Sequence, residues 1–309
     1  MSEKRAVPFA VIVVALLIAG ALLFSAVQQM AAEVSEPTGS SDTATAKLYE
    51  ASASGDVDAI LHQLEHGAEI DKASRTTAKG LGDLTPLMAA AAAGKTDAVR
   101  ALLDAGADPN VRGGSGRTAL IYAAGWGDAD MVRALLEKDA RVDARGTDGW
   151  TALMMAAARG APDSLALLVQ EGAAVNARNK WGQTALMLAV KPGNADKVRT
   201  LLDAGADIAQ ADVNGMTAVA FAAAGEDTGP VLSLLIGAGA DVSAADADGV
   251  TVLMKAAERG DADRVLALLD AGADPTARDN NGWTALDWAE RRDDERGEAV
   301  AVILRDLVG

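Results

Sequence analysis

The chain reads as an all-α solenoid preceded by one membrane-spanning helix, and three observations predict it. A Thr-Ala-Leu-x-x-Ala-Ala theme, strict or varied, places its Thr at Thr85, Thr118, Thr151, Thr184, Thr217, Thr251 and Thr284, at intervals of 33, 33, 33, 33, 34 and 33 residues. A second theme, Leu-Leu-x-x-Gly-Ala-Asp and its variants, keeps the same beat at Gly106, Gly172, Gly205, Gly239 and Gly272. A fixed period of this length means stacked units, each burying its apolar face only against its neighbours. The third observation is an uncharged apolar run at the N-terminus, out of phase with everything that follows.

That run extends from Ala6 to Val27, after a short basic segment, residues 1–5, that carries Lys4 and Arg5. Its 22 residues give roughly 33 Å of helix, enough to cross a hydrocarbon core of about 30 Å. A cleavable signal has a shorter apolar stretch and a small-x-small site, which Phe24-Ser25-Ala26 and Met30-Ala31-Ala32 lack. An uncleaved anchor over 6–27 is therefore the expectation, with a cleaved signal the alternative. Positive charge precedes the run, and Glu33, Glu36 and Asp42 follow it, so the bulk of the chain should face outward. The Ala- and Gly-rich composition suggests a bacterial inner-membrane protein with its folded part in the periplasm. Residues 28–44, rich in Ser, Thr and Ala, read as a flexible tether, and 45–309 as the repeat domain.

Residues 184–216 show what one unit should be. Thr184 stands where a helix N-cap belongs, and Leu186, Ala189 and Val190 recur on one helical face. Pro192-Gly193 ends that helix. A second helix carries Val198, Leu201 and Leu202 inward and stops at Gly205, where a left-handed residue is easy only for glycine. Asn179–Gln183 and Val213–Gly215 are turn segments able to pair as a β-hairpin. The unit is helix–turn–helix–hairpin.

Residues 47–71 form a capping unit without the Thr theme, and Ala73–Gly82 should protrude as an enlarged loop. One residue is added near Glu226. At the far end, charged Arg291–Glu298 leads into an amphipathic closing helix, Ala299–Val308. Eight helix pairs result, both caps included.

Thr85-Pro86-Leu87, with Thr-Ala-Leu-x-x-Ala-Ala and Leu-Leu-x-x-Gly-Ala-Asp elsewhere, resembles the ankyrin repeat over roughly residues 46–309. There are departures. The His usual after Thr-Pro-Leu in that family is Met88, Ile121, Met154, Met187, Ala220, Met254 or Asp287 here, which removes a hydrogen-bonding tie. The cap glycine of the third unit is Asp139, less comfortable in a left-handed conformation.

Composition narrows the function. Half of the residues (50%) are hydrophobic but only 3% aromatic, so Ala and Leu build the core. A net charge of −16 argues against nucleic acid, which needs clustered Lys and Arg. With no cysteine there is no disulfide framework, thiolate nucleophile or Cys-ligated zinc. His62 and His66 share one helical face, but no third metal ligand is evident, so no metal or other cofactor is expected. Asp246–Gly249 and Asp279–Gly282 hint at calcium loops, yet Asp, Asn and Gly are what hairpin turns want. No catalytic set can be assigned, and an enzyme is not expected.

The resemblance implies a protein partner held on a concave face made by hairpin tips and the ends of first helices. Carried onto this sequence, that face holds Arg117, Trp150, Gln183 and Trp283 before their threonines. Tyr122, Trp126, Arg159 and Lys191 belong to the first helices or their ends, and Lys180 and Trp181 to a tip. Trp126, Trp150 and Trp181 come from consecutive units, and Trp and Arg dominate binding hot spots, which favours a contact patch there. The expectation is a monomeric, membrane-anchored scaffold for an unidentified protein client. Bacterial proteins of this kind resemble accessories of oxidative-stress enzymes or toxin-immunity proteins. Metal handling by His62 and His66, or a passive structural tether, are the other readings.

Overall fold

The computed structural model describes residues 40–74 and 83–308. The expected anchor over 6–27, most of the tether and most of the Ala73–Gly82 loop lie outside them. Among the described residues there are sixteen helices and no multi-residue strand. No helix among them is long and apolar enough to cross a membrane. The chain divides into two compact units, Met1–Thr147 and Asp148–Gly309.

The first unit holds α1 (Ser40–Ser54), α2 (Val57–Glu65), α3 (Pro86–Ala92), α4 (Thr96–Asp104), α5 (Ala119–Trp126) and α6 (Ala129–Glu137). First helices stack on first helices (α1 on α3, α3 on α5), and second on second (α2 on α4, α4 on α6). Helix α1 begins at Ser40, inside the stretch read from sequence as a tether. Ala44 (6% exposed), Leu48 and Tyr49 draw it into the core. Thr45 Oγ1 accepts the Glu69 N–H at 3.0 Å, fastening it to the following loop.

The second unit continues with α7 (Ala152–Ala158), α8 (Pro162–Gln170), α9 (Ala185–Val190), α10 (Ala195–Asp203), α11 (Ala218–Ala224) and α12 (Gly229–Gly237). It closes with α13 (Val252–Arg259), α14 (Ala262–Asp270), α15 (Ala285–Glu290) and α16 (Glu295–Val308). The same stacking recurs, and α16 covers α13, α14 and α15.

Helices of six to nine residues are too short to persist alone in water, so packing must hold them. Every residue of α3 and of α9 is buried. Each fully buried Leu, such as Leu186 or Leu201, contributes about 1.5–3 kcal/mol. The threonine theme supplies the caps: Oγ1 of Thr85, Thr151, Thr184, Thr217, Thr251 and Thr284 each accepts the N–H three residues on, at 3.2–3.4 Å. Thr118 makes no such bond. The tie lost with histidine returns in the last repeat by another route. Asp287 Oδ2 accepts both the N–H and the hydroxyl of Thr284 at 2.7 Å. These two bonds, with burial opposing them, hold the Asp287 carboxyl below its ordinary range.

Second helices end as the glycine theme requires, with Gly205 at φ 80° and Asp139 at φ 61° in the same left-handed role. The β-hairpins expected between units are reduced to isolated bridges, Ser74 with Leu84, Ala211 with Thr217 and Ala245 with Thr251. The tips are too short to propagate a ladder.

Candidate functional site

In the second unit the tips share one construction. Asn179, Asp212, Asp246 and Asp279 each stand five residues before a capping threonine. Asn179 Oδ1 accepts the N–H groups of Trp181 and Gln183 at 3.0 and 2.9 Å. Asp212 Oδ1 takes those of Asn214 and Met216 at 2.8 and 3.0 Å. Asp246 Oδ1 takes those of Asp248 and Val250, both at 3.0 Å, and Asp279 Oδ1 those of Asn281 and Trp283 at 2.8 and 2.9 Å. Each short side chain thus replaces a backbone acceptor and closes its turn. The loops that hinted at calcium owe their acidic residues to this geometry.

Successive tips are also tied together. The N–H groups of Lys180, Val213, Ala247 and Asn280 donate to the carbonyls of Asp148, Trp181, Asn214 and Asp248 at 2.9–3.0 Å. Side chains at the tips therefore project from backbone already fixed, which lowers the ordering entropy a partner must offset. The first unit carries two links of the same kind, Gly114 N–H to Asp83 O and Thr147 N–H to Ser115 O, both 2.9 Å.

The expected contact residues separate by burial. Trp181 is 38% exposed and Trp283 37%, whereas Trp150 is 3%, Tyr122 1% and Gln183 8% exposed. The last three correct the sequence expectation: they offer almost no surface and serve packing instead. Gln183 braces its own tip, its Oε1 accepting from Asn179 Nδ2 at 3.3 Å. Tyr122 lies in the first unit with its hydroxyl 3.4 Å from Ser115 Oγ. Its ring is 6.1 Å from that of half-buried Trp126, and Arg117 in that unit is also half-buried.

In the second unit the structure mounts cations on rings. Lys180 Nζ lies 4.4 Å from the Trp181 ring, and Lys191 Nζ 5.2 Å from that of Phe221 in the next repeat. Burial lowers the Lys191 ammonium to about 8, the Asp212 carboxylate opposing. Burial likewise lowers the half-buried Arg159 guanidinium. Arg291 lies over two indoles, 4.6 Å from the Trp283 ring centre and 5.0 Å from that of Trp288. Phe221, Trp288 and Arg291 were not among the contact residues expected from sequence. Their signal was the register: Trp283, Trp288 and Arg291 stand one residue before, four after and seven after Thr284.

Two more cations proved internal. Lys197, 4% exposed, donates to the carbonyls of Ala156 and Ala157 at 3.0 and 3.3 Å, at the C-terminal end of α7. Arg264, 6% exposed, donates to those of Ala222, Ala223 and Gly225 at the end of α11. Both stand thirteen residues after their threonines and satisfy orphan helix carbonyls.

His62 and His66 stack with ring centres 4.2 Å apart on the exposed end of α2. His66 Nδ1 donates to the His62 carbonyl at 2.7 Å. Among the described residues no group of three or more His, Cys, Asp or Glu side chains could hold a metal ion.

A family model described as ankyrin repeats (3 copies) matches residues 48–146, 140–212 and 216–307. No curated protein matches the chain.

Proposed function

Since the chain belongs to the ankyrin repeat family, a fold of protein-interaction domains, we propose that it is a non-enzymatic scaffold, held at the membrane, that binds a protein client through its tips and first-helix ends. The observation that carries this reading is Trp181, an exposed indole on a tip tied to the tips before and after it. Lys180, Arg159 and Trp283 add cationic and aromatic surface in the same unit, and Trp126 and Arg117 offer it in the first, whereas the Lys191 ammonium is buried. Tryptophan and Arg bury much area at little entropic loss, so such positions carry binding energy. The sixteen helices read as eight repeats, the two end repeats serving as caps.

The apolar run Ala6–Val27, after Lys4 and Arg5 and before an acidic stretch, supports an anchor with the repeats on the periplasmic side. A reporter that is active only in the periplasm, fused after Gly309, should be active in cells. An inactive fusion refutes the orientation.

The interaction itself is tested by placing a photo-crosslinking residue at Lys180 or, as a control, at Asp203 in full-length protein in cells. A discrete crosslinked client from position 180 alone, lost with Trp181→Ala, is expected. Equal products from both positions, or no effect of the alanine, would sink the reading.

A further inference from the structure

We propose that Trp283, Trp288 and Arg291 form a carboxylate-binding subsite that takes an acidic side chain beside an apolar residue of the client. This rests on the protein-binding reading above and names the partner chemistry. The cluster is preassembled. The two indoles meet edge to face, 5.9 Å apart at 68°, and the Arg291 guanidinium covers both. Asp279 fixes the pair from beneath, accepting the Trp283 N–H at 2.9 Å and the Trp288 indole N–H at 3.1 Å.

What singles out Arg291 is a guanidinium that covers two rings and yet holds no acid. Among the described residues it enters no ion pair and no side-chain hydrogen bond. Three nearby arginines are committed: Arg259 pairs with Glu226 at 3.4 Å, Arg292 with Asp294, and Arg305 with Glu290 at 2.7 Å and Glu298 at 3.0 Å. In a chain with 44 acidic residues, a cation stacked on rings and left without a carboxylate is matched to an external one. A guanidinium seated against aromatic rings is more weakly hydrated than an ammonium, and its planar fork of donors suits a bidentate carboxylate.

Hollows of about 240 Å³ open on either side of Arg291, one bounded by Glu258, Trp288 and Arg292, the other by Trp283, Asp287 and Glu290. The three acids limit what can enter. Glu290 is neutralised by Arg305, whereas Asp287, held by the neutral Thr284, stays charged and repels an incoming anion together with Glu258. A single carboxylate tolerates that field better than a phosphate dianion, which selects the ligand class. The exposed face of Trp283 accepts the apolar neighbour.

The test uses full-length protein in detergent, labelled with 5-fluorotryptophan, its ¹⁹F signals assigned by Trp283→Phe and Trp288→Phe. The probes are acetyl-Ala-Leu-Glu-Leu-Ala-amide, its Gln counterpart and a phosphoserine counterpart. The Glu peptide should shift both signals saturably, with a Kd of about 1 mM, as one charge-assisted contact plus a small apolar patch allows. The Gln peptide, or Arg291→Gln, should bind about ten-fold more weakly. Arg291→Lys, which keeps charge but not the fork and guards against a folding artefact in Arg291→Gln, should fall between. Glu258→Gln should tighten binding about two- to three-fold. Equal binding of Glu and Gln peptides, an unaffected Arg291→Gln, tighter binding of the phosphopeptide, or no saturable shift to about 20 mM overturns the proposal. A client still crosslinked at position 180 would then leave the interaction reading standing. Peptide binding without any crosslinked client would reverse that outcome.

Discussion

The indole N–H of Trp288 donates to the Asp279 carboxylate at 3.1 Å, while the other oxygen of that carboxylate accepts the N–H groups of Asn281 and Trp283. One acid therefore closes the last tip and aims the aromatic cluster. Its pKa stays low although burial pushes it up, because these hydrogen bonds outweigh burial. Asp279→Ala should lower the thermal midpoint and broaden the Trp283 and Trp288 signals. Asp279→Asn should retain most of the turn, as Asn179 does in its own tip. A Trp288 signal equally sharp in wild type and Asp279→Ala would contradict this role.

Lys197 and Arg264 terminate helices of an earlier repeat. Lys197→Met keeps the bulk of the side chain but withdraws the donor from Ala156 and Ala157. Leaving buried carbonyls without a charged donor costs about 1–3 kcal/mol. Urea unfolding should report that loss for Lys197→Met and for Arg264→Met. The exposed Arg199→Met should change stability by less than about 0.5 kcal/mol.

Asp139, at φ 61°, occupies the left-handed cap position that Gly67, Gly106, Gly172, Gly205, Gly239 and Gly272 hold in six other repeats. Asp139→Gly should therefore stabilise the chain, by about 0.5–1 kcal/mol, since the strain on an L side chain there exceeds the added freedom of the unfolded glycine. A lower denaturation midpoint in the variant would show that the Asp139 side chain contributes more than its backbone strain.

Lys191 makes stability depend on pH. Its folded value, about 8, lies below the ordinary 10.5, so between these values the unfolded chain binds more protons. Stability from this group must rise with pH across that window, and below about pH 8 the burial penalty is present in full. Calorimetry of wild type beside Lys191→Met should find the variant more stable near neutrality, the difference shrinking towards about pH 10.5. A constant difference would exclude the burial of this charge as its cause.

Threonine caps differ in geometry despite a shared Thr-Ala-Leu-x-x-Ala-Ala theme. Thr151 Oγ1 accepts the Met154 N–H at 3.2 Å, while Thr118 bonds no such donor. Thr151→Ala should cost about 1 kcal/mol in chemical denaturation and Thr118→Ala clearly less. Equal losses would assign the threonine theme to packing of the methyl group instead.

Most of the architecture was legible because its causes are local. A threonine before an apolar helix, a glycine after the next one and an Asp or Asn five residues before the threonine act through bonds spanning two to four residues. A 33-residue recurrence exposes them all. Even Asp139, the irregular cap, could be read directly, since the position dictates its backbone.

Burial and partnership could not be read in this way. Trp150 and Trp283 occupy the same register before a threonine, yet one is 3% exposed and the other 37%. Lys197 and Arg264 look like surface cations on their own helices and are buried, because carbonyls some 40 residues distant in sequence come to meet them. Arg291 became distinctive only when its guanidinium was seen to cover two indoles while holding no acid. Periodicity encodes hydrogen bonds within a repeat. Which side chains stay exposed, and which charges remain unanswered, depends on what adjoining repeats set beside them, and only the packed chain brings those groups together.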